Sequence, residues 1–342
     1  MPTLITSPEQ DDRLPALPVA DIARIGEEVL VRVEQVVVGM RETLTLALAA
    51  ILAGGHILFE DVPGLGKTVA ARSIADALGL DFRRLQCTPD LLPSDITGSF
   101  IYLPAQAEFD FRPGPIFTEL FLADEINRTS PKTQSALLEA MAENQVSVEG
   151  TSFPLPSPFH VIATANPIES EGTYPLPEAQ LDRFMVRLSP GYPTTDGEIR
   201  VLLARVSRRA ERASIEPVTD AATVRSIQRG VERVDVDPDI AAYCVALAQA
   251  TRRHRDVQVG ASPRASQSLL LMARSLAVLR GRDFVIPDDV KDVAVSVLAH
   301  RLTLTVAAWT SGLSAVHIVT ELVASVPGPP SVSRASGHVD VS

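Results

Sequence analysis

The pattern of apolar and polar residues along the chain predicts a fold that combines strands and helices. Short apolar runs predict strands at residues 56–59, 82–86, 120–123, 160–164 and 184–188. Apolar residues at helical spacing predict helices at residues 22–33, 44–52, 67–78, 131–141, 237–248, 263–276 and 288–302. Strands and helices alternate up to about residue 190 and only helices follow, so we expect an α/β sheet domain and an all-α domain.

Two segments depart from this alternation. Residues 94–117 are rich in Gly, Pro and aromatic residues, and aromatics at alternate positions, such as Phe109 and Phe111, favour a hairpin inserted into a helix. An irregular surface loop is the alternative for this segment. Residues 145–155, centred on Gly150, predict a second hairpin.

Composition marks the boundaries of these units. Residues 190–193 hold two prolines and a glycine, so we expect a domain boundary there. Residues 1–20 carry four prolines and three acidic residues with little periodicity, and the end of the chain is rich in Pro, Gly and Ser. The predicted organisation is a disordered leader at residues 1–20, a core at residues 21–190, a helical lid at residues 191–326 and a disordered tail at residues 327–342.

Charge and cysteine content restrict the classes of partner. The 342-residue chain has a formal net charge of -11, which argues against sequence-independent nucleic-acid binding, although it leaves room for a local basic pore. We therefore expect protein partners. The two cysteines, Cys87 and Cys244, are far apart and outside any ligand cluster, so we expect no disulfide or zinc site and a cytoplasmic location. The longest apolar stretch, residues 44–59, is interrupted by glycines and is too short to span a membrane.

A glycine-bearing loop, residues 60–68 (EDVPGLGKT), lies between a predicted strand and a predicted helix. Backbone N–H groups at the start of a helix surround phosphate oxygens, and Gly64 and Gly66 let the backbone approach closely. Lys67 would neutralise the outer phosphates, and Thr68 would offer a hydroxyl to Mg²⁺. The usual spacing places glycine where this chain has Asp61, whose carboxylate is tolerable only if it points outward. An ordinary turn with a chance lysine is the alternative.

Polar side chains follow two of the predicted strands. Asp124 and Glu125 end the apolar run at residues 120–123, which places two carboxylates at the rim of a parallel sheet, where such folds bind ligands. Asp124 would hold Mg²⁺, and Glu125 would orient and deprotonate the attacking water. Asn166 follows the next strand and could bind that water and a terminal phosphate. The alternatives are solvated acids at a strand end and a turn residue before Pro167.

Two arginines are further candidates for catalysis. Arg183 precedes the last predicted strand, where it could meet charge on a transferred phosphoryl group. The alternative is a salt bridge to Asp182 or Glu178, and Arg128 is a rival for the same role. Arg264 lies in the first turn of a lid helix, where it could reach a phosphate, and an ordinary surface arginine is the alternative.

The order of these motifs resembles the AAA+ ATPases, and within them the MoxR family. The resemblance covers nearly all of residues 35–300 and is carried by residues 60–68 (EDVPGLGKT), 114–117 (GPIF), 123–141 (ADEINRTSPKTQSALLEAM), 163–184 (ATANPIESEGTYPLPEAQLDRF) and 260–265 (GASPRA). Ala165 departs from the glutamine that we expect in many relatives. The resemblance implies an α/β P-loop fold: a parallel five-stranded sheet sandwiched by helices, two hairpin insertions and a smaller all-α lid.

The resemblance also assigns roles to residues. It implies catalytic roles for Glu125, Asn166, Arg183 and Arg264, and a magnesium site at Thr68 and Asp124. It implies that ATP is bound by Val38, Gly39, Asp61, Val62, Pro63, Gly64, Leu65, Gly66, Lys67, Thr68, Val69 and Asp124.

The implied activity is ATP hydrolysis in a homo-oligomeric ring, usually of six subunits. Such rings act as chaperones that remodel or activate client proteins, often ones with von Willebrand factor A domains and sometimes with metal insertion. Two alternatives stay open: an ATP-dependent interaction scaffold that hydrolyses little, and a DNA-acting AAA+ relative. The intact pair Asp124 and Glu125 favours hydrolysis, and the acidic balance argues weakly against DNA.

Overall fold

A computed structural model describes residues 14–167, 173–208 and 215–330 of the chain. Its first part contains the helices α1 (Val19–Glu34), α2 (Arg41–Leu52), α3 (Lys67–Leu78), α4 (Pro93–Thr97), α5 (Pro131–Glu143) and α6 (Glu178–Leu181). The strands are β1 (Ile57–Glu60), β2 (Phe82–Gln86), β3 (Gly98–Leu103), β4 (Glu108–Pro113), β5 (Leu120–Asp124), β6 (Gln145–Val148), β7 (Thr151–Pro154), β8 (His160–Ala165) and β9 (Val186–Leu188).

Five of these strands form one parallel sheet in the order β2-β5-β8-β1-β9. Alternate residues of the central strands enter different hydrophobic clusters: Leu122 packs with α1, α2 and α3, and Phe121 packs with α5. The carboxyl ends of β1, β5 and β8 lie together because these strands are parallel neighbours. The predicted α/β architecture with its five-stranded parallel sheet is confirmed.

Helix ends follow from local chemistry. The side chain of Ser130 accepts a hydrogen bond from Thr133 N and Pro131 occupies the first position of α5, as the sequence predicts. Helix α3 ends at Leu78 because Gly79 adopts φ +66°, a left-handed conformation that glycine reaches at little cost.

Both predicted hairpins are present, with one difference. The pair β3 and β4 is antiparallel, and so is the pair β6 and β7. The first hairpin follows the five-residue helix α4, but residues 114–119 contain no helix before β5 begins. The expectation of a hairpin within a continuous helix is therefore wrong, since Gly114 approaches the backbone of Ile96 and Gly98 too closely for a side chain and turns the chain toward β5.

In the described residues of the second part, 195–208 and 215–330, helices predominate, together with a small antiparallel pair, β10 (Val257–Val259) with β11 (Thr303–Leu304). Its helices are α7 (Thr195–Arg208), α8 (Ala221–Glu232), α9 (Pro238–Arg253), α10 (Pro263–Leu279), α11 (Pro287–Leu298), α12 (Val306–Thr310) and α13 (Ala315–Ser325). Apolar residues of α8 to α11 lie in the same hydrophobic cluster as α1, α2 and α3. The lid and the sheet domain thus share one continuous hydrophobic core.

The described part of the predicted leader is ordered, which corrects the expectation for residues 14–20. Leu17 N donates to Ser226 O at 3.1 Å, Arg229 donates to Leu14 O at 2.9 Å, and α1 begins at Val19. Hydrogen bonds with helix α8, far away in sequence, hold this segment in place. Residues 1–13 of the leader and 331–342 of the tail lie outside the described residues, and their disorder stays a prediction.

Candidate functional site

The loop between β1 and α3 has the backbone that a phosphate-binding loop requires. Gly64 and Gly66 adopt φ +85° and +77°, and a Cβ at either position would meet no atom within 4 Å. Glycine is therefore needed for conformation rather than for space. The loop ends where α3 begins, so the N–H groups of the first helical turn are directed to the same place.

Lys67 lies buried across this loop. Its Nζ donates to Asp61 O at 2.5 Å and to Ala165 O at 3.4 Å. Burial lowers the pKa of Lys67, while the negative charges of Asp61, Asp124 and Glu125 act in the opposite direction. The ammonium group is thus held by neutral carbonyls, which a phosphate oxygen can replace with a stronger, charge-assisted bond.

Asp124 is buried at the end of β5 and receives hydrogen bonds on both oxygens. Its Oδ2 accepts from Thr68 Oγ1 at 3.1 Å and from Arg84 Nε at 2.8 Å, and its Oδ1 accepts from Thr164 Oγ1 at 2.6 Å. A hydroxyl and a carboxylate are the hard oxygen ligands that Mg²⁺ prefers, so Thr68 and Asp124 fit the ion. Because both oxygens already have donors, Asp124 suits contact through an intervening water.

Glu125 adopts φ +60°, which is unusual for a residue with a side chain and places it in a strained left-handed turn. Its N–H donates to Thr164 Oγ1 at 2.8 Å, and its Oε2 accepts from Gln86 Nε2 at 2.9 Å and from Arg128 at 3.0 Å. These contacts fix the carboxylate at the rim of the sheet beside the phosphate loop. They also place Arg128 beside the carboxylate of Glu125 in the same chain.

Asn166 follows the neighbouring strand β8 and is buried at the same rim. Its carbonyl accepts from Asn127 Nδ2 at 3.1 Å, which ties it to the turn after Glu125. The structure therefore brings together Lys67, Thr68, Asp124, Glu125 and Asn166, as the sequence predicts. Residues 168–172 of the motif that follows lie outside the described residues.

Three residues at this site carry roles that the sequence analysis did not predict: Arg84, Gln86 and Thr164. Arg84 and Gln86 alternate along β2, and Gln86 pairs with Asp124 in the sheet register. Polar residues at alternate positions of a predicted strand indicate that one face of the strand contacts polar groups. Only the strand order shows that these groups are Asp124 and Glu125. Thr164 lies in a mostly apolar strand, and its hydroxyl accepts from Glu125 N and donates to Asp124 Oδ1.

The other residues that the sequence predicts to bind the nucleotide differ in exposure. Val62, Leu65 and Val38 are half-buried, and Pro63 and Val69 are exposed. Gly39 adopts φ +80° and lies next to Pro193 of the segment that leads into the lid. The carboxylate of Asp61 also points to that segment, where it accepts from Ser189 Oγ at 2.6 Å and Gly191 N at 2.8 Å.

Arg183 and Arg264 lie at the opposite rim of the sheet from their own phosphate loop. Arg183 precedes β9, whose first residue pairs with Ile57 at the start of β1, and its guanidinium donates to Leu138 O. Neither of its expected salt bridges forms, because Asp182 accepts from Arg301 and Ser262 instead and Glu178 accepts from Thr303.

The position of Arg264 follows from its neighbours. Ser262, two residues earlier, donates to Asp182 at 3.1 Å. Arg264 therefore lies at the same end of the sheet as Asp182 and Arg183. Burial lowers the pKa of His56 to about 3, and the positive charge of Arg264 acts in the same direction. Arg264 is exposed, and within the described ranges it has no hydrogen bond or ion pair. Since β1 rises about 10 Å from Ile57 to Glu60, neither arginine adjoins its own phosphate loop.

The two cysteines are buried, and burial raises the pKa of Cys87 and of Cys244 to about 12, so neither thiol is reactive at neutral pH. Among the described residues no cluster of three or more His, Cys, Asp and Glu side chains forms a separate metal site. No helix in those residues is long and apolar enough to cross a membrane.

Comparisons with known proteins show which family and fold the chain shares. Residues 56–186 match the family model of the ATPases associated with various cellular activities (AAA), and residues 249–322 match an AAA lid domain. The chain is 50% identical over 298 residues to the uncharacterized protein YeaC of Bacillus subtilis, covering 87% of this chain and 92% of that protein. It is 41% identical over 312 residues to the chaperone MoxR1 of Mycobacterium tuberculosis, covering 89% and 82%.

Further similarity extends to a MoxR protein and to a solved structure. The protein MoxR of Methylorubrum extorquens is 31% identical over 299 residues, covering 80% of this chain and 85% of that protein. A crystal structure from Cytophaga hutchinsonii, described as that of a "putative ATPase", superposes with a TM-score of 0.84 at 38% identity, covering 91% of this chain and 97% of that one.

Proposed function

Because the chain belongs to the MoxR family of AAA+ ATPases, we propose that it hydrolyses ATP with Mg²⁺ in a homo-oligomeric ring and uses this cycle to remodel or activate client proteins. Clients with von Willebrand factor A domains, a ring of six subunits and a cytoplasmic location are parts of this proposal that come from the family resemblance.

The observation that carries the proposal is the meeting of four groups at one rim of the sheet. Lys67, Thr68, Asp124 and Glu125 come from two separate segments, and Thr164 binds both acids from a third. A nucleotide loop used only for binding needs no carboxylate fixed beside the terminal phosphate. The ordered Glu125 therefore supports hydrolysis over the alternative of a scaffold that binds ATP and hydrolyses little.

Each residue at this rim would have a separate task. Lys67 would exchange its carbonyl partners for the outer phosphates, and Thr68 and Asp124 would hold Mg²⁺, which neutralises charge on the phosphate oxygens. Glu125 would accept a proton from the attacking water, and Asn166 would orient that water. Gln86 and Arg128 would keep the carboxylate of Glu125 in place.

The Lys67→Ala variant should lose most of its ATP affinity. Hydrogen bonds to charged groups contribute about 1.5–3 kcal/mol, so we expect roughly 10- to 100-fold weaker binding in isothermal titration calorimetry, with a matching loss of turnover. The control is Lys132→Ala, which removes an exposed lysine from α5. Unchanged ATP affinity in Lys67→Ala would refute the assignment of the phosphate loop.

The positions of Arg183 and Arg264 favour action on the ATP of a neighbouring subunit. Both lie at the rim opposite their own phosphate loop, and Arg264 is free to meet an anion. In a ring in which this rim faces the next subunit's phosphate loop, both arginines would complete that site. We therefore propose that Arg264, like Arg183, acts in trans.

The Arg264→Ala variant should keep the ATP affinity of unassembled subunits and lose turnover in the ring. The expected loss is on the order of 10²-fold, the usual cost of removing one donor that stabilises developing charge. ATP affinity is measured at protein concentrations below those at which rings assemble, and phosphate release is measured above them. The control is Arg255→Ala, whose side chain is 91% exposed in the same domain. Weakened binding by the unassembled Arg264→Ala subunit would show instead that Arg264 acts within its own subunit.

The surface of the β3–β4 hairpin favours a protein client over DNA. The rings of Tyr102 and Phe109 lie 5.2 Å apart and both are exposed, which suits contact with apolar side chains. Glu108 and Asp110 flank Phe109, and their carboxylates would repel a phosphate backbone. The hairpin is joined to β7 because Phe111 stacks on Phe153 at 3.9 Å, so the two hairpins can move together.

A further inference from the structure

Asp61 occupies the position at which the usual phosphate loop has glycine, and its carboxylate makes three hydrogen bonds. Oδ2 accepts from Ser189 Oγ at 2.6 Å and from Gly191 N at 2.8 Å, and Oδ1 accepts from Val62 N at 2.8 Å. Its carbonyl oxygen meanwhile accepts from Lys67 Nζ at 2.5 Å. A single residue thus contacts the phosphate-binding lysine on one side and the start of the lid on the other.

We call residues 189–194, which join β9 to α7, the connector. Gly191 in the connector adopts φ +68°, and the side chain of Pro193 lies next to Gly39, one of the residues predicted to bind the nucleotide. The connector therefore touches two parts of the nucleotide site, the phosphate loop at Asp61 and the segment around Gly39.

Helix α7, which follows the connector, differs from the other long helices of the lid. Its apolar stripe, Ile199, Leu202, Leu203 and Val206, is 49–72% exposed, whereas α8 to α11 are packed into the shared core. With little apolar packing of its own to hold it, α7 depends for its position on the connector.

We propose that Asp61 is a positioning residue that transmits occupation of the phosphate loop to the connector and so to α7. Phosphate oxygens draw Lys67 Nζ away from the carbonyl of Asp61, because a charge-assisted bond replaces a bond to a neutral carbonyl. The peptide of Asp61 then loses its strongest partner, while its carboxylate stays bonded to Ser189 and Gly191. Glycine at this position would remove the hydrogen bonds to Ser189 and Gly191. The proposal rests on the proposed function only in requiring that ATP binds this loop.

The neighbouring residue Glu60 provides a matched control. Its carboxylate pairs with Arg187 of β9 at 2.7 Å, so its side chain joins two strands of the sheet. Glu60→Gln and Asp61→Asn each remove one negative charge at the same end of β1. Asp61→Gly removes the link and restores the ordinary loop residue.

The test measures hydrogen–deuterium exchange of the full chain with and without the non-hydrolysable analogue AMPPNP, together with calorimetric affinity. In the parent and in Glu60→Gln, AMPPNP should change exchange both in the phosphate loop and at residues 189–206. In Asp61→Gly, compared at AMPPNP concentrations that calorimetry shows to be saturating, the change at residues 189–206 should fall at least roughly 5-fold while the change in the loop persists. Asp61→Asn, which keeps one acceptor oxygen, should be intermediate.

A double-mutant cycle tests the path. Ser189→Ala should reduce the response at residues 189–206, and adding it to Asp61→Gly should cause no further loss, because both changes remove the same link.

Two results would overturn the proposal. A full response at residues 189–206 in Asp61→Gly would show that the connector senses nucleotide by another path. Loss of AMPPNP binding in Asp61→Gly would show that Asp61 only shapes the loop. Failure of the parent itself to bind AMPPNP would refute the proposed function as well, and calorimetry separates that case from the other two.

Discussion

Replacing Glu125 with glutamine should lower the rate of ATP hydrolysis by about 10² to 10⁴-fold while ATP still binds. The amide keeps the size of the side chain and an oxygen that can accept from Gln86 and Arg128, so the local structure should persist. It cannot accept a proton from water. Phosphate release measures the rate, and calorimetry in the presence of Mg²⁺ measures binding.

The control for this variant is Glu139→Gln, an exposed glutamate on α5. Asp124→Asn should behave differently from both, since weaker contact with Mg²⁺ should alter the magnesium dependence of ATP binding. If Glu125→Gln hydrolysed ATP at the parent rate, the general base would have to be another residue. The position of Glu125 would then no longer argue against a scaffold that hydrolyses little.

Arg183→Ala should reduce turnover by on the order of 10³ to 10⁵-fold with little effect on ATP binding, as expected for an arginine that meets charge on the transferring phosphoryl group. The guanidinium lies at the rim away from its own loop, so we expect it to act on the ATP of a neighbouring subunit in the proposed ring. Mixing Arg183→Ala subunits, which keep Lys67, with Lys67→Ala subunits, which keep Arg183, should restore part of the activity. Some interfaces in such a ring contain both intact groups.

Assembly must be verified in this experiment, because Arg183 also donates to Leu138 O within its own subunit. Mass photometry shows whether mixed rings form. As a second control, Arg183→Lys keeps a donor for the carbonyl of Leu138 but removes the planar guanidinium. Mixed rings without any recovery of activity, at every ratio, would exclude the trans role. Arg128 is the weaker rival, since it pairs with Glu125 in its own subunit.

The sequence predicted the elements and residues that depend on local chemistry. The bounds of α3, the cap at Ser130 and the acids at the end of β5 follow from neighbouring residues, and all are found as predicted. Arg84, Gln86 and Thr164 were missed because their partners lie on adjacent strands, and sequence alone does not give strand order. Leu14 and Leu17 were assigned to a disordered leader because the residues that hold them are more than 200 positions away.

The contact between Asp61 and the connector could be predicted only in part from the sequence. The sequence has an acid in place of glycine, and its carboxylate is predicted to point outward. Only the structure shows that this carboxylate accepts hydrogen bonds from Ser189 and Gly191. The rim at which Arg183 and Arg264 lie could not be predicted locally either. It follows from the parallel pairing of β1 with β9, which is a long-range contact.

The continuous hydrophobic core has a consequence for the energetics of unfolding. Gly26 of α1 faces Leu279 of α10 so closely that a Cβ would overlap it, and these residues belong to the sheet domain and the lid respectively. Separating the two domains would expose this apolar surface to water, so α8 to α11 and the sheet should melt in one cooperative transition. A cavity made in α10, for example at Met272, would therefore lower the stability of the ATP site as well as that of the lid, although Met272 is far from it in sequence.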